Sequence, residues 1–131
     1  MSRRELREQI FKLLFRVEFN KMEDMPEQEE LFFEDEDAAT DGDAEYVSVK
    51  YHNISEKLAE IDALLNEKAS GWDTRRMSKV DLTILRLAVY EIIYDEDVPT
   101  GVAINEAVEL AKKFGQDASY GFVNGVLAKF A

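Results

Sequence analysis

The chain contains no cysteine, which excludes a disulfide scaffold, a thiolate metal site and a cysteine nucleophile. Its single histidine, His52, cannot build a histidine metal cluster or a proton relay. Six scattered glycines form no phosphate-cradling loop, and no serine, histidine and acid order suits a hydrolase. No apolar run approaches the ~20 residues of a membrane span. Met1-Ser2-Arg3-Arg4-Glu5 is not followed by the apolar stretch of a secretory signal, so a soluble cytoplasmic protein is expected. Positive charge is also scarce: 16 basic against 28 acidic residues leave a net charge of −12, which argues against a general nucleic-acid coat. No enzyme, cofactor or metal site is expected.

What remains is enough for one folded domain. The 131 residues are 46% hydrophobic, sufficient for a core. The charge is unevenly spread: residues 1–22 carry +3, residues 23–62 carry −13, and residues 63–131 carry −2. Any anion is therefore expected at the N-terminal end. Arg3, Arg4 and Arg7 cluster there, and guanidinium groups suit phosphate because they stay charged and pair bidentately. Ordinary surface charge balancing Glu5 and Glu8 explains the cluster equally well.

The apolar pattern is helical throughout. Ser2 and Glu5 form a capping-box signature ahead of Leu6, Ile10, Leu13, Leu14 and Val17, with Phe11, Phe15 and Phe19 as an adjoining stripe. Glu23 to Asp43 holds eleven acidic residues and no basic one. A short helix is predicted near Pro26, followed by a solvated acidic loop over 34–43. From Ala44 one helix is predicted through Val47, Tyr51, Ile54, Leu58, Ile61 and Leu65, ending at Ser70-Gly71. Ser78 and Asp81 mark the start of a nearly all-apolar central helix over 79–94, with Glu91 as a buried structural hub. An amphipathic helix over 102–114 ends at Gly115. A last helix, capped by Asp117 or Ser119, has Phe122, Val126 and Phe130 as its inner stripe, with Phe122 at the edge of that stripe beside the exposed start of the helix.

One resemblance sharpens this reading. Ile84 to Glu91, Asp97-Val98-Pro99, Ala103 to Gly115 and Phe122 to Leu127 together resemble the NusB family of bacterial transcription antitermination factors, in the same order and near-identical spacing. The arginine-rich start is similar too, although Glu5, Ala118 and Gly121 depart from the family pattern. The resemblance implies an all-α fold of two small helical bundles packed together. It implies one domain over 1–131, with subdomains 1–72 and 73–131 and an acidic loop about 23–45. It further implies binding of single-stranded box A of nascent ribosomal RNA, partnership with the ribosomal protein NusE, and indirect contact with other Nus factors and RNA polymerase. The free protein would be a monomer or a homodimer.

Carried over by position, Arg3, Arg4 and Arg7 would touch phosphates, while Asp117, Ser119 and Phe122 would lie near bases. Phe122 has plain core as its rival role. Asp81 would face the partner protein, with helix capping as the rival. Two alternatives stay open: a NusB-like protein-assembly module without RNA binding, and the RNA-recruiting domain of a ribosomal RNA methyltransferase.

Overall fold

A computed structural model describes residues 1–35 and 40–131, and every regular element among them is helical. The α-helices are α1 (Arg3–Phe15), α2 (Met25–Asp35), α3 (Asp41–Ser55), α4 (Leu58–Lys68), α5 (Lys79–Tyr94), α6 (Thr100–Phe114) and α7 (Ser119–Ala128). The chain forms two compact units, Met1–Ser55 and Glu56–Ala131. That division falls before α4 rather than at the expected 72/73, because α4 packs on α5.

In the first unit, Ser2 caps α1 through a reciprocal pair of bonds. The Glu5 N–H donates to Ser2 Oγ at 3.1 Å, and the Ser2 N–H donates to Glu5 Oε1 at 3.0 Å. The family-atypical Glu5 thus has a structural role at the helix start. Ile10, Leu13 and Leu14 of α1 are buried, as are Val47, Tyr51 and Ile54 of α3, and the two helices pack together. Here α1 ends at Phe15 and gives way to a 3-10 turn, so Phe19 leaves the helical stripe and is 61% exposed. Arg16 reaches α2, donating to the Gln28 carbonyl and lying over the Phe32 ring. On the neighbouring faces, Ser48 Oγ donates to Glu29 Oε2 and His52 Nε2 lies 2.8 Å from Glu29 Oε1. Burial first, and the Glu29 charge second, push the Tyr51 hydroxyl up to about 12. Within the span of the expected acidic loop, α2 reaches Asp35 and α3 starts at Asp41. The middle of that span, residues 36–39, lies outside the described residues.

In the second unit, α5 is central and packs on α4, α6 and α7. Leu82, Ile84, Leu85, Leu87, Ala88 and Val89 are buried along it, and Glu91 is 1% exposed and not without a partner. The helix expected to run unbroken over 44–70 is two helices, α3 and α4, separated at Glu56-Lys57. Arg86 fixes α4 to α5 with a bidentate pair to Asp62, Nε to Oδ1 at 2.9 Å and Nη2 to Oδ2 at 2.8 Å. Gly115 ends α6 with extended backbone, not a left-handed turn. Its missing side chain is what matters: a Cβ there would sit 2.6 Å from Ser119 Cβ and Oγ.

Candidate nucleic-acid interface

The basic group of the first unit sits at the start of α1, where the helix dipole favours anions. Arg3 and Arg4 are exposed there, whereas Arg7 is 8% exposed and engaged within the protein. The three arginines are therefore not equivalent. Two can meet an incoming phosphate directly, and the third is held inside.

The second unit carries an aromatic feature built by the connector between α4 and α5. Gly71 adopts φ +80°, a left-handed turn that a side chain would strain, and this turn presents Trp72 outward. The connector is well tied despite its exposure. The Thr74 N–H donates to Asn66 Oδ1 at 2.8 Å, and the Arg75 and Arg76 N–H groups both donate to Asp73 Oδ1. Trp72, 47% exposed, meets half-buried Phe122 of α7 edge-to-face, with centroids 5.4 Å apart and planes at 66°. The Arg76 guanidinium lies over the Trp72 ring at 5.6 Å.

This aromatic pair borders two hollows. One, of about 270 Å³, lies against α7 beside Gly121 and Gly125, with Ser70 and Lys129 also in its lining. Neither glycine would meet a neighbour within 4 Å if given a Cβ, so that face of α7 is open. Lys129 Nζ donates to Ser70 Oγ at 3.0 Å. The other hollow, of about 190 Å³, lies between the starts of α5 and α7, lined by Trp72, Met77, Ser78, Asp81, Gln116, Ala118, Ser119 and Phe122. Aromatic faces beside basic side chains are the composition that stacks unpaired bases and holds their phosphates.

The structure distributes the expected residues unevenly. Ser119 is 5% exposed and does not cap α7 from outside. It is the first residue of the helix, and its Oγ accepts from the Gln116 N–H at 3.0 Å while its own N–H donates to the Gln116 carbonyl. Asp117 is exposed at the same turn. Phe122 is not the centre of the buried stripe, which is Val123, Val126 and Leu127; it stands at the edge, facing both hollows. Asp81 lines the smaller hollow beside it. Trp72, Arg76 and Lys129 were not singled out from the sequence. The signal available was that the chain's sole tryptophan falls in a short polar connector, where no helical stripe requires it.

Comparison with known proteins adds independent evidence. A profile of the NusB family matches residues 4–131. The transcription antitermination protein NusB of Agathobacter rectalis is 56% identical over 131 residues, covering all of both chains. That of Lachnoclostridium phytofermentans is 51% identical over 129 residues, 98% of each chain. Among solved structures, NusB of T. maritima superposes with a TM-score of 0.87 at 36% identity, over 100% of this chain and 91% of that one. A structure of antitermination factors NusB and NusE in complex with double-stranded RNA gives 0.85 at 25% identity, covering 98% and 94%.

Proposed function

The chain belongs to the NusB family of transcription antitermination proteins, which are not enzymes, and on that premise we propose that it binds box A of nascent ribosomal RNA together with the ribosomal protein NusE. In this role it helps RNA polymerase resist termination, alongside other Nus factors, in the cytoplasm where transcripts emerge. No helix among the described residues is long and apolar enough to cross a membrane. The observation that carries the reading is the Trp72–Phe122 pair bordered by two hollows, with Arg76 over one ring and Lys129 beside the other. Bases stack on the aromatic rings, while Arg3, Arg4, Arg76 and Lys129 take phosphates. Asp117 and Ser119 lie at the α7 turn beside the bases. Arg7, buried within the first unit, leaves little of itself for solvent-borne phosphate.

A gel shift with box A RNA, with and without NusE, tests this. Replacing Arg3 and Arg4 together with alanine weakens every RNA sequence alike. It also flattens the salt dependence by up to ~0.7 for each phosphate that is no longer neutralised. If no RNA is bound in either setting while NusE still is, the protein is an assembly module whose acidic surface grips a basic partner.

A further inference from the structure

We infer that the larger hollow admits one unstacked base of the bound RNA strand, and that Gly121 and Gly125 are glycines so as to leave room for it. The inference rests on the RNA-binding reading above and names the residues that set the shape of that site. Gly121, Gly125 and Lys129 recur every four residues, so they share one face of α7 and its C-cap. Both glycines lie within the helix, where glycine destabilises relative to alanine because its unfolded chain is freer. Packing gives no reason for them, since a Cβ at either position meets nothing within 4 Å. Gly115 is the contrast: a Cβ there would sit 2.6 Å from Ser119, so the fold itself requires that glycine. What the fold leaves open at 121 and 125 is the floor of the hollow.

The walls decide what fits. Trp72 and Phe122 supply ring surface, and stacking on such rings is tolerant of base identity. Lys129 is the one charged residue lining the hollow among the described residues, in a chain whose net charge is −12. No carboxylate lines it there, and the Arg76 guanidinium lies over the Trp72 ring. Aromatic surface with cations around it fits a planar ring carried on a phosphate backbone. Lys129 Nζ donates to the Ser70 hydroxyl, and an ionised phosphate oxygen is the better acceptor to take its place. The base then lies between Trp72 and the bare backbone of α7, with its phosphate at Lys129.

The full-length protein, together with the ribosomal protein NusE, is titrated with box A RNA and with a series in which one nucleotide at a time carries no base. Trp72 is the only tryptophan, so its fluorescence reports on the hollow. At one position of the series the parent is expected to bind roughly tenfold more weakly than to intact RNA, as the loss of one stacked base predicts, and to lose most of its quenching. Gly125→Leu fills the hollow. It should bind intact RNA about tenfold more weakly and be indifferent to the missing base at that position, with its response elsewhere unchanged. Gly125→Ala adds only a methyl to open space and should show the same coupling in smaller measure. Both variants should melt no lower than the parent, because each replaces glycine in an exposed helix. Lys129→Gln should keep the response to the missing base and flatten the salt dependence by about 0.7.

If every missing base weakens Gly125→Leu and Gly125→Ala as much as the parent, the bases stack outside the hollow and the inference is overturned. If Gly125→Leu weakens NusE in the absence of RNA, the hollow is a protein contact and the inference fails. If the parent binds no RNA with or without NusE, it is the RNA-binding reading itself that fails.

Discussion

Two helix starts in this chain carry the same sequence signature and come out differently. Ser2 and Glu5 at α1 close a complete capping box, each residue's N–H bonded to the other's side chain. Ser78 and Asp81 at α5 close only half of one: the Asp81 N–H donates to Ser78 Oγ, and Asp81 Oδ1 has no hydrogen-bond partner among the described residues. The difference is one methylene, since glutamate reaches back over a helical turn more easily than aspartate. A shared motif therefore does not imply a shared outcome. At α1 the acid is consumed by the fold. At α5 it lines the hollow between the starts of α5 and α7 and remains favourable to the helix dipole.

A third helix start sharpens the contrast and predicts the largest effect. No side chain caps α7 through its Ala118 N-cap; its turn depends on Ser119 packed against Gly115. Gly115→Ala places a methyl 2.6 Å from the Ser119 side chain and 2.7 Å from the Ala111 carbonyl oxygen. It should destabilise the protein by about 1–3 kcal/mol in urea unfolding, as overpacking does. Gly121→Ala on the same helix meets no neighbour and should be neutral or stabilising.

Next in size are the two caps. Ser2→Ala and Ser78→Ala should each cost about 1 kcal/mol, measured by urea unfolding. Ser2→Ala should cost the more of the two, because it also leaves Glu5 without its hydroxyl donor.

A smaller effect tests the comparison directly. Asp81→Glu supplies the missing methylene, so the box at α5 should close and stabilise the protein by roughly 0.5 kcal/mol. Urea unfolding reads the gain, and an unchanged midpoint would mean that the box at α5 stays open.

The smallest effect is acid dependence. The bond from the Ser2 backbone, then that from the Ser2 hydroxyl, hold the Glu5 carboxyl below its usual range. A depressed folded value means its contribution is present above the ordinary glutamate range and fades as pH falls through the folded one. Amide exchange at Ser2 should accelerate in that acid window. The Asp81 N–H, bonded to a serine hydroxyl, should keep its protection.

Sequence periodicity carried much of this fold. The span of α5 over 79–94 was legible because Ser78 caps it, nearly every side is apolar and Pro99 lies beyond its end. The break at Glu56-Lys57 was not legible, because Ile54, Leu58, Ile61 and Leu65 keep helical spacing straight across it. Phe122 was legible as an edge residue of α7, but its partner Trp72 was not, since nothing local links a connector to a helix so far along the chain.

By itself, then, the sequence determined what is decided within a helical turn or two: the all-helical class, the serine caps, the buried stripes and the basic cluster at the N-terminus. These depend on neighbours three or four positions away, and such neighbours are written consecutively. Tertiary structure alone decided that Arg7 is withdrawn from the surface, that Gly115 is needed for room and not for a left-handed turn, and that Trp72 meets Phe122 beside a carboxylate oxygen without a hydrogen-bond partner among the described residues. Each of these depends on which side chains the packing of separate helices and connectors brings within a few ångströms, and no spacing along one helix encodes that.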